Sequence, residues 1–448
     1  MNHQLCLGLD IGTTTISAVV LDGADGTILT SRTLKSEADI PSANPLEKIQ
    51  DAAMIEAKAR MVLEELLQQY PSVSCIGITG QMHGIVYLDG KGSLLSPLYT
   101  WQDQRSAAIC AGLQEQTGYH LSAGYGLATH CALQEKGGVP EGAAKVSTIM
   151  DYLAFSLCGR ENLRIHSTNA ASLGFFDLEK GSFDRTALEK VGVNPEILPQ
   201  VTGKSEIVGT FRDIPVAVPI GDNQASFLGS VPQPETMALA NFGTGSQISL
   251  LTENCGGVET DGSVELRPFH EKMYLVCGSA LCGGRAYALL EQFFRHYAEA
   301  CGLPAGEQYT VMNRLAAEGL QSQDLPRVTT TFCGTRAEPD GRGSIESLGE
   351  ENFTPSALIA GTLLGMAREL HQMLAKMPGK KMTTLVASGN AIRRNPALQQ
   401  ALEMVFGMRV RIPAHQEEAA FGAALFAALA VLPQTRQDLA LHCIHFLP

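Results

Sequence analysis

The sequence predicts an α/β protein whose plan is laid down twice. Its 448 residues exceed the length over which one hydrophobic core usually keeps growing, so two domains are expected. Each half opens with short β-prone runs and continues into longer helical patterns. Each half also carries a turn rich in glycine and hydroxyl side chains directly after an apolar run, Gly8-Leu9-Asp10-Ile11-Gly12-Thr13-Thr14-Thr15 in the first and Asn241-Phe242-Gly243-Thr244-Gly245-Ser246-Gln247 in the second. The expected division gives residues 1–231 to the first domain and 232–448 to the second.

In chain order, Leu5 to Asp10, Ile16 to Leu21 and Thr27 to Arg32 read as three short strands, punctuated by Asp22-Gly23 and Asp25-Gly26. Pro45 to Tyr70 predicts a helix, because Leu46, Ile49, Ala53, Ala59, Val62, Leu63, Leu66 and Leu67 fall on one face with charges opposite. Cys75 to Thr79 follows as a buried strand. The apolar run Val216 to Ile220 ends in Gly221-Asp222, where capping a helix through Ala225 to Gly229 is the structural alternative for Asp222. The strand pattern returns at Met237 to Ala240, Gln247 to Leu251 and Met273 to Val276. Helices fit Arg285 to Tyr297 and Ser356 to Leu374, the latter opened by a Thr354 cap and Pro355 at the first helical position. Leu385 to Ser388 is a last strand, closed by Gly389.

Composition narrows the function. The chain is 45% hydrophobic, enough to fill two cores, and its net charge of -13 excludes a general nucleic-acid binder, which needs clustered Lys and Arg against backbone phosphates. Any anionic ligand must be captured locally. Eleven cysteines without a repeated CxxC spacing read as small buried hydrophobes in a reducing compartment, Cys277 and Cys282 included. The first apolar stretch is interrupted by Asp10 and lacks a basic leader, so it reads as a strand rather than a signal peptide. The longest apolar run, Ala419 to Leu432, is too short to span a bilayer and reads as a buried helix. The expectation is a cytoplasmic protein with no membrane and no nucleic-acid partner.

The two turns suit phosphate. Glycine lets the backbone approach an anion, and successive N–H groups with Thr or Ser hydroxyls can surround its oxygens. A carboxylate in the first turn, Asp10, would repel bare phosphate, so its natural role is to hold a hydrated Mg²⁺ that bridges phosphates.

Taken with Gly80-Gln81-Met82-His83-Gly84, Gly221-Asp222-Asn223-Gln224 and Ser388-Gly389-Asn390, the two turns make a series that resembles the FGGY carbohydrate kinases over nearly the whole chain. The resemblance implies an actin-like ATPase fold of two ribonuclease-H-like domains with a central cleft where ATP and a sugar meet. Trp101-Gln102-Asp103-Gln104-Arg105 and Gly389-Asn390-Ala391-Ile392-Arg393-Arg394-Asn395-Pro396 look most like the members that phosphorylate sedoheptulose, with those acting on xylulose the close competitor. The expected partners are a small ketose and ATP, with a homodimer as the one assembly considered.

Phosphoryl transfer to a hydroxyl needs in-line placement, charge neutralisation and a proton acceptor. Asp222, at a strand end, is the expected base. Gly12, Thr13 and Thr14 would contact the terminal phosphates from the first half, and Gly243, Thr244 and Gly245 from the second, so that closure assembles the site. Gly389 and Asn390 suit a backbone platform for adenosine, and Gly283 is a further nucleotide contact implied by the resemblance. On the sugar side stand Gln81, Met82 and His83, together with Trp101, Asp103, Arg105 and Asp222. Trp101, Asp103 and Arg105 would share one face of an extended segment, the tryptophan covering an apolar sugar face and Arg105 fixing the Asp103 carboxylate. Asp151-Tyr152-Leu153 and Glu418 to Ala424 read as structural helices, and Gly334 to Gly343 as a surface loop. A chaperone-like or actin-like ATPase is the alternative from another class. The Gly80 to Gly84 and Trp101 to Arg105 signatures disfavour it.

Overall fold

The computed structural model describes residues 4–254, 256, 263–303, 306–335, 338, 340–378, 381–432 and 436–448. The chain forms two compact units. The first comprises Met1–Pro232, Arg267–Met273 and Glu417–Ile444, and the second Gln233–Leu266, Tyr274–Gln416 and His445–Pro448.

The first unit is built on a six-stranded sheet. Its strands are β1 (Leu5–Ile11), β2 (Thr15–Asp22), β3 (Ile28–Lys35), β4 (Val73–Gly80), β5 (Ile207–Phe211) and β6 (Ile214–Ala217), in the order β5-β6-β4-β1-β2-β3. β1, β2 and β3 form an antiparallel meander, whereas β4 runs parallel to β1 and β6 parallel to β4. Helices α1 (Ala52–Gln69), α2 (Ile149–Leu157) and α3 (Asp222–Ser230) belong to this unit.

The second unit repeats the plan with β7 (Met237–Phe242), β8 (Ser246–Thr252), β9 (Val264–Pro268, of which Arg267 and Pro268 count with the first unit), β10 (Tyr274–Ala280), β11 (Thr384–Ser388) and β12 (Arg409–Arg411), in the order β9-β10-β8-β7-β11-β12. Again an antiparallel meander, β7-β8-β10, is extended by parallel β11 and β12. Its helices include α4 (Gly284–Ala300), α5 (Tyr309–Gly319), α6 (Pro355–Lys376) and α7 (Pro396–Phe406). Thr354 caps α6 by accepting from the Ala357 N–H, with Pro355 in the first turn, as its sequence signals.

The division departs from the expected 232–448 span at two segments, Arg267–Met273 and Glu417–Ile444, which pack with the first unit. The reason lies in α8 (Glu418–Val431), a helix of small residues laid on the first sheet. A Cβ at Gly8 would sit 1.8 Å from the Ala420 carbonyl oxygen, and one at Gly77 would sit 1.9 Å from that of Ala423. Gly422 approaches the Ala225 carbonyl of α3 just as closely. Only glycine at these crossings lets backbone touch backbone, and the sequence interval does not reveal it.

The expected helix from Pro45 starts later, at Ala52. Asp51 caps it by accepting from the Met54 N–H, and Ile49–Gln50 instead pairs with Asp39–Ile40 and Leu98–Tyr99. Leu46 is left exposed. Among the described residues no helix is long and apolar enough to cross a membrane. Within the expected loop 334–343, residues 336, 337 and 339 lie outside the described residues.

Candidate active site

In the first unit, the candidate residues gather where β1 and β4 end. Asp10 is the penultimate residue of β1, and Gly12-Thr13-Thr14 form the turn into β2. Gln50 ties this turn down by donating to the Thr13 carbonyl (2.9 Å) and to Asp39 Oδ1 (2.8 Å), and Trp101 Nε1 donates to Thr13 Oγ1 (3.0 Å). Gln81, directly after β4, donates its backbone N–H to the Ile11 carbonyl (2.8 Å) and its side-chain Nε2 to Gln50 Oε1 (2.9 Å). Gln81 and Met82 are buried. Met82 lies under Gly221, where a Cβ would come within 2.8 Å of its sulfur. His83 adopts a left-handed backbone (φ 72°), donates from Nδ1 to the Ser172 carbonyl (2.7 Å) and stacks on Tyr125 at 4.7 Å.

Asp222 stands at the end of a braced segment that follows β6. Gly221, not Asp222, occupies the cap position of α3, so Asp222 is the first helical residue and its carboxylate is not spent on capping. The three residues before it are pinned individually. Asn169 Nδ2 donates to the Pro219 carbonyl (3.1 Å), Thr79 Oγ1 to the Ile220 carbonyl (2.7 Å), and the Gly221 N–H to Thr168 Oγ1 (3.0 Å). Asp151 stands behind this brace. It accepts from Thr148 Oγ1 (2.5 Å) and Asn169 Nδ2 (3.3 Å), and burial pushes its carboxyl up to about 8. The helix read as structural therefore carries a buried polar network. Its one sequence signal was an acid in an otherwise hydrophobic helix.

The Trp101 to Arg105 segment is not extended, because the Asp103 N–H turns back to the Thr100 carbonyl and the Gln104 N–H bonds to the Leu46 carbonyl. Trp101 is 44% exposed whereas Asp103 is 0% exposed, so the two do not share a face. Asp103 accepts from the Lys48 N–H (3.0 Å), the Arg105 N–H (3.1 Å), Arg105 Nε (2.7 Å) and Arg105 Nη2 (2.9 Å). Those donors fill the roughly four lone-pair positions of a carboxylate. Asp103 thus holds the loop, and Arg105, stacked over Tyr99 at 4.7 Å, is its clamp.

Electrostatics single out Asp10 and Asp222. Burial, then the charges of Asp222 and Glu417, push Asp10 up to about 7. Burial likewise raises Asp222 to about 6, against the lowering pull of Arg267 and of the hydrogen bond from the Asn223 N–H (2.6 Å). Glu417 was not singled out in the sequence. It immediately precedes α8, and Thr33 Oγ1 donates to it at 3.4 Å, where Thr33 shares one ladder row with Ser17 and Asp10. A half-buried carboxyl crowded by two others is a site that a cation relieves. Among the described residues no three His, Cys, Asp or Glu are grouped to hold a metal ion.

In the second unit three glycine segments meet at the end of β7. Gly243-Thr244-Gly245 form the turn into β8, with Gly243 and Thr244 exposed. A Cβ at Gly283 would lie 2.3 Å from the Gly245 carbonyl carbon, and the Gly284 and Arg285 N–H groups bond to the Gly243 and Thr244 carbonyls (each 3.0 Å). Gly283 therefore supports the turn by close packing. Gly389 has φ 97°, and a Cβ there would lie 2.3 Å from the Phe242 carbonyl oxygen, so only glycine fits. Asn390, exposed, begins the short helix Asn390–Arg394. These turns lie outside the carboxyl ends of parallel strands, where open α/β sheets bind ligands.

Residues 5–229 match the N-terminal domain, and residues 238–431 the C-terminal domain, of the FGGY family of carbohydrate kinases. The chain is 28% identical to a sedoheptulokinase from Mus musculus, over 95% of this chain and 97% of the relative. Its fold is similar to that of a xylulose kinase from Rhodospirillum rubrum, with a TM-score of 0.86, 21% identity and coverage of 99% and 93% of the two chains. It is also similar to a Plasmodium falciparum glycerol kinase with ADP, with a TM-score of 0.81, 19% identity and coverage of 98% and 92%. The fold is the expected actin-like ATPase fold of two α/β domains. With both halves matched in order, the chain belongs to the FGGY family of carbohydrate kinases and is a sugar kinase.

Proposed function

We propose that this kinase transfers the terminal phosphoryl group of ATP to the C7 hydroxyl of sedoheptulose, giving sedoheptulose 7-phosphate and ADP. The observation that carries the choice of sugar is the end-to-end similarity to mouse sedoheptulokinase. In this reading Asp222 takes the proton of the attacking hydroxyl. A base raised to about 6 suits that task, because it is ionised at neutral pH yet close enough in affinity to accept a proton in the transition state. The brace through Thr79, Thr168 and Asn169 keeps its carboxylate aimed while the hydroxyl is deprotonated.

Gly12, Thr13 and Thr14 present backbone N–H groups and hydroxyls to phosphate oxygens, and Gly243, Thr244 and Gly245 do the same from the second turn. Gly389 and Asn390 receive the adenosine, with Gly283 setting the height of the turn beside them. Asp10 would hold Mg²⁺ through water, and the ion, when bound, neutralises charge on the phosphates. Trp101 covers the sugar, His83 hydrogen-bonds it, and Gln81, Met82, Asp103 and Arg105 fix the walls around it.

Xylulose is the second reading, favoured by the structural likeness to xylulose kinases. Specificity constants for sedoheptulose, xylulose, ribulose, fructose and glycerol decide between them. The highest kcat/KM for sedoheptulose is expected. A higher value for xylulose replaces the proposed substrate, and nucleotide turnover that no sugar stimulates overturns the ketose reading.

A further inference from the structure

An open surface cavity of about 570 Å³ lies in the second unit, where the residues after α5 meet α6 and the last turn of α7. Its wall includes Gln321, Gln323, Arg368, His371, Leu364 and Met404, and among the described residues no carboxylate lines it. That is notable in a chain with 46 acidic and 33 basic residues.

Arg368 is the telling member. Among the described residues its guanidinium makes no hydrogen bond or ion pair, and Nη1 is buried without a partner. Burial and the charge of Arg327 both disfavour its ionised form. The acids nearby in sequence are engaged elsewhere. Asp324 Oδ1 accepts from Asn352 (2.9 Å), Glu369 from Thr330 (2.8 Å), Glu318 from Arg314 (3.5 Å) and Glu403 from the Val410 N–H (3.1 Å). The residue as a whole is half-buried, but a donor nitrogen taken out of solvent is ordinarily hydrogen-bonded, and Nη1 is not. A planar fork of donors with no protein acceptor is complementary to an oxyanion, and phosphate matches it bidentately. Gln321 and Gln323, both exposed, add amide donors at the same wall. The volume is within the usual range for small-molecule sites, roughly 300–1,000 Å³.

We propose that this cavity binds a small phosphate-bearing anion through Arg368, at a site separate from the glycine turns that hold the nucleotide.

The test is thermal denaturation of the whole protein, titrated separately with inorganic phosphate and with glycerol 3-phosphate at fixed ionic strength. A ligand that binds only the native state raises Tm with a saturating dependence. The wild type is expected to show this rise. Arg368→Gln is expected to bind roughly 10- to 100-fold more weakly, the loss appropriate to charge-assisted hydrogen bonds, while its Tm without ligand stays level or rises as the unpaired charge is removed. Tighter binding of inorganic phosphate assigns the site to the free ion, and tighter binding of glycerol 3-phosphate assigns it to a phosphomonoester. Either supports the proposal. A wild type with no saturable shift overturns it. So does an unchanged response in Arg368→Gln, which would place the phosphate at the glycine turns. A second measurement needs no variant: phosphate should slow phenylglyoxal modification of Arg368 in the native protein, read by peptide mass spectrometry, and equal modification with and without phosphate refutes the assignment.

Discussion

Replacing Asp222 by Asn is the sharpest test of the proposed chemistry, because the structure gives it two signatures of opposite sign. The amide keeps the shape of the carboxylate and an oxygen to accept from the Asn223 N–H, so the strand end should stay in place. What disappears is the proton acceptor. General-base assistance is typically worth ~10²–10⁴ in rate, and kcat should fall on that scale with sugar KM little changed.

Stability should move the other way. Burial raises Asp222 from 3.8 to about 6, so holding it ionised in the folded state costs about 3 kcal/mol at ~1.4 kcal/mol per pKa unit, an upper figure for a half-buried group. Because the native carboxyl binds its proton more tightly than the unfolded one, wild-type stability falls as pH rises from about 4 to about 6, and above that the full cost is present. The variant lacks this cost. Its Tm should therefore match the wild type in strong acid and exceed it by a few degrees at neutral pH, in scans that run the two proteins side by side. In parallel, wild-type kcat should lose activity below about pH 6 as the base becomes protonated. Near-normal turnover in the variant would remove Asp222 from the mechanism. A Tm below the wild type at neutral pH would show that the residue serves the fold instead.

Asp103→Ala should strip the close acceptor from Arg105, leaving it Glu47 at 4.0 Å, and the acceptor from the Lys48 N–H, at a cost of about 2 kcal/mol measured by urea unfolding; an unchanged midpoint refutes the clamp. Asn169→Ala should lower kcat roughly 10- to 100-fold through loss of aim at Asp222, while KM for ATP holds steady, and equal changes in both constants would count against a positioning role. Gly389→Ala must place a Cβ against the Phe242 carbonyl at positive φ, so a stability loss of ~1–3 kcal/mol with a raised KM for ATP is expected in denaturation and steady-state assays.

The repeated α/β plan was open to reading because it rests on local signals. Apolar runs of strand length, Asp-Gly turns, the Thr354-Pro355 start and the two glycine turns all act within a few residues of themselves, and the structure has strands and turns at those places. The same locality explains the errors. Pro45 and Leu46 fit a helical period, yet Ile49 and Gln50 find strand partners at Asp39–Ile40 and Leu98–Tyr99, a competition that periodicity does not record. Alternation suggested one face for Trp101, Asp103 and Arg105, but backbone bonds to Thr100 and Leu46 fold the segment into turns.

The sequence by itself determined which residue types stand ready for phosphate and metal chemistry, since glycine, threonine and aspartate carry those capacities wherever they lie. Tertiary structure alone decided their duties. It spent the Asp103 carboxylate on four protein donors, relieved Asp222 of capping by giving that position to Gly221, set Asp151 and Asn169 behind the strand end, and carried Glu417 toward Asp10 on a helix from the far end of the chain. Burial and partner choice depend on which distant backbones come together, and the close crossings at Gly8, Gly77 and Gly422 that permit this have meaning only once the sheet and the helix are both in place.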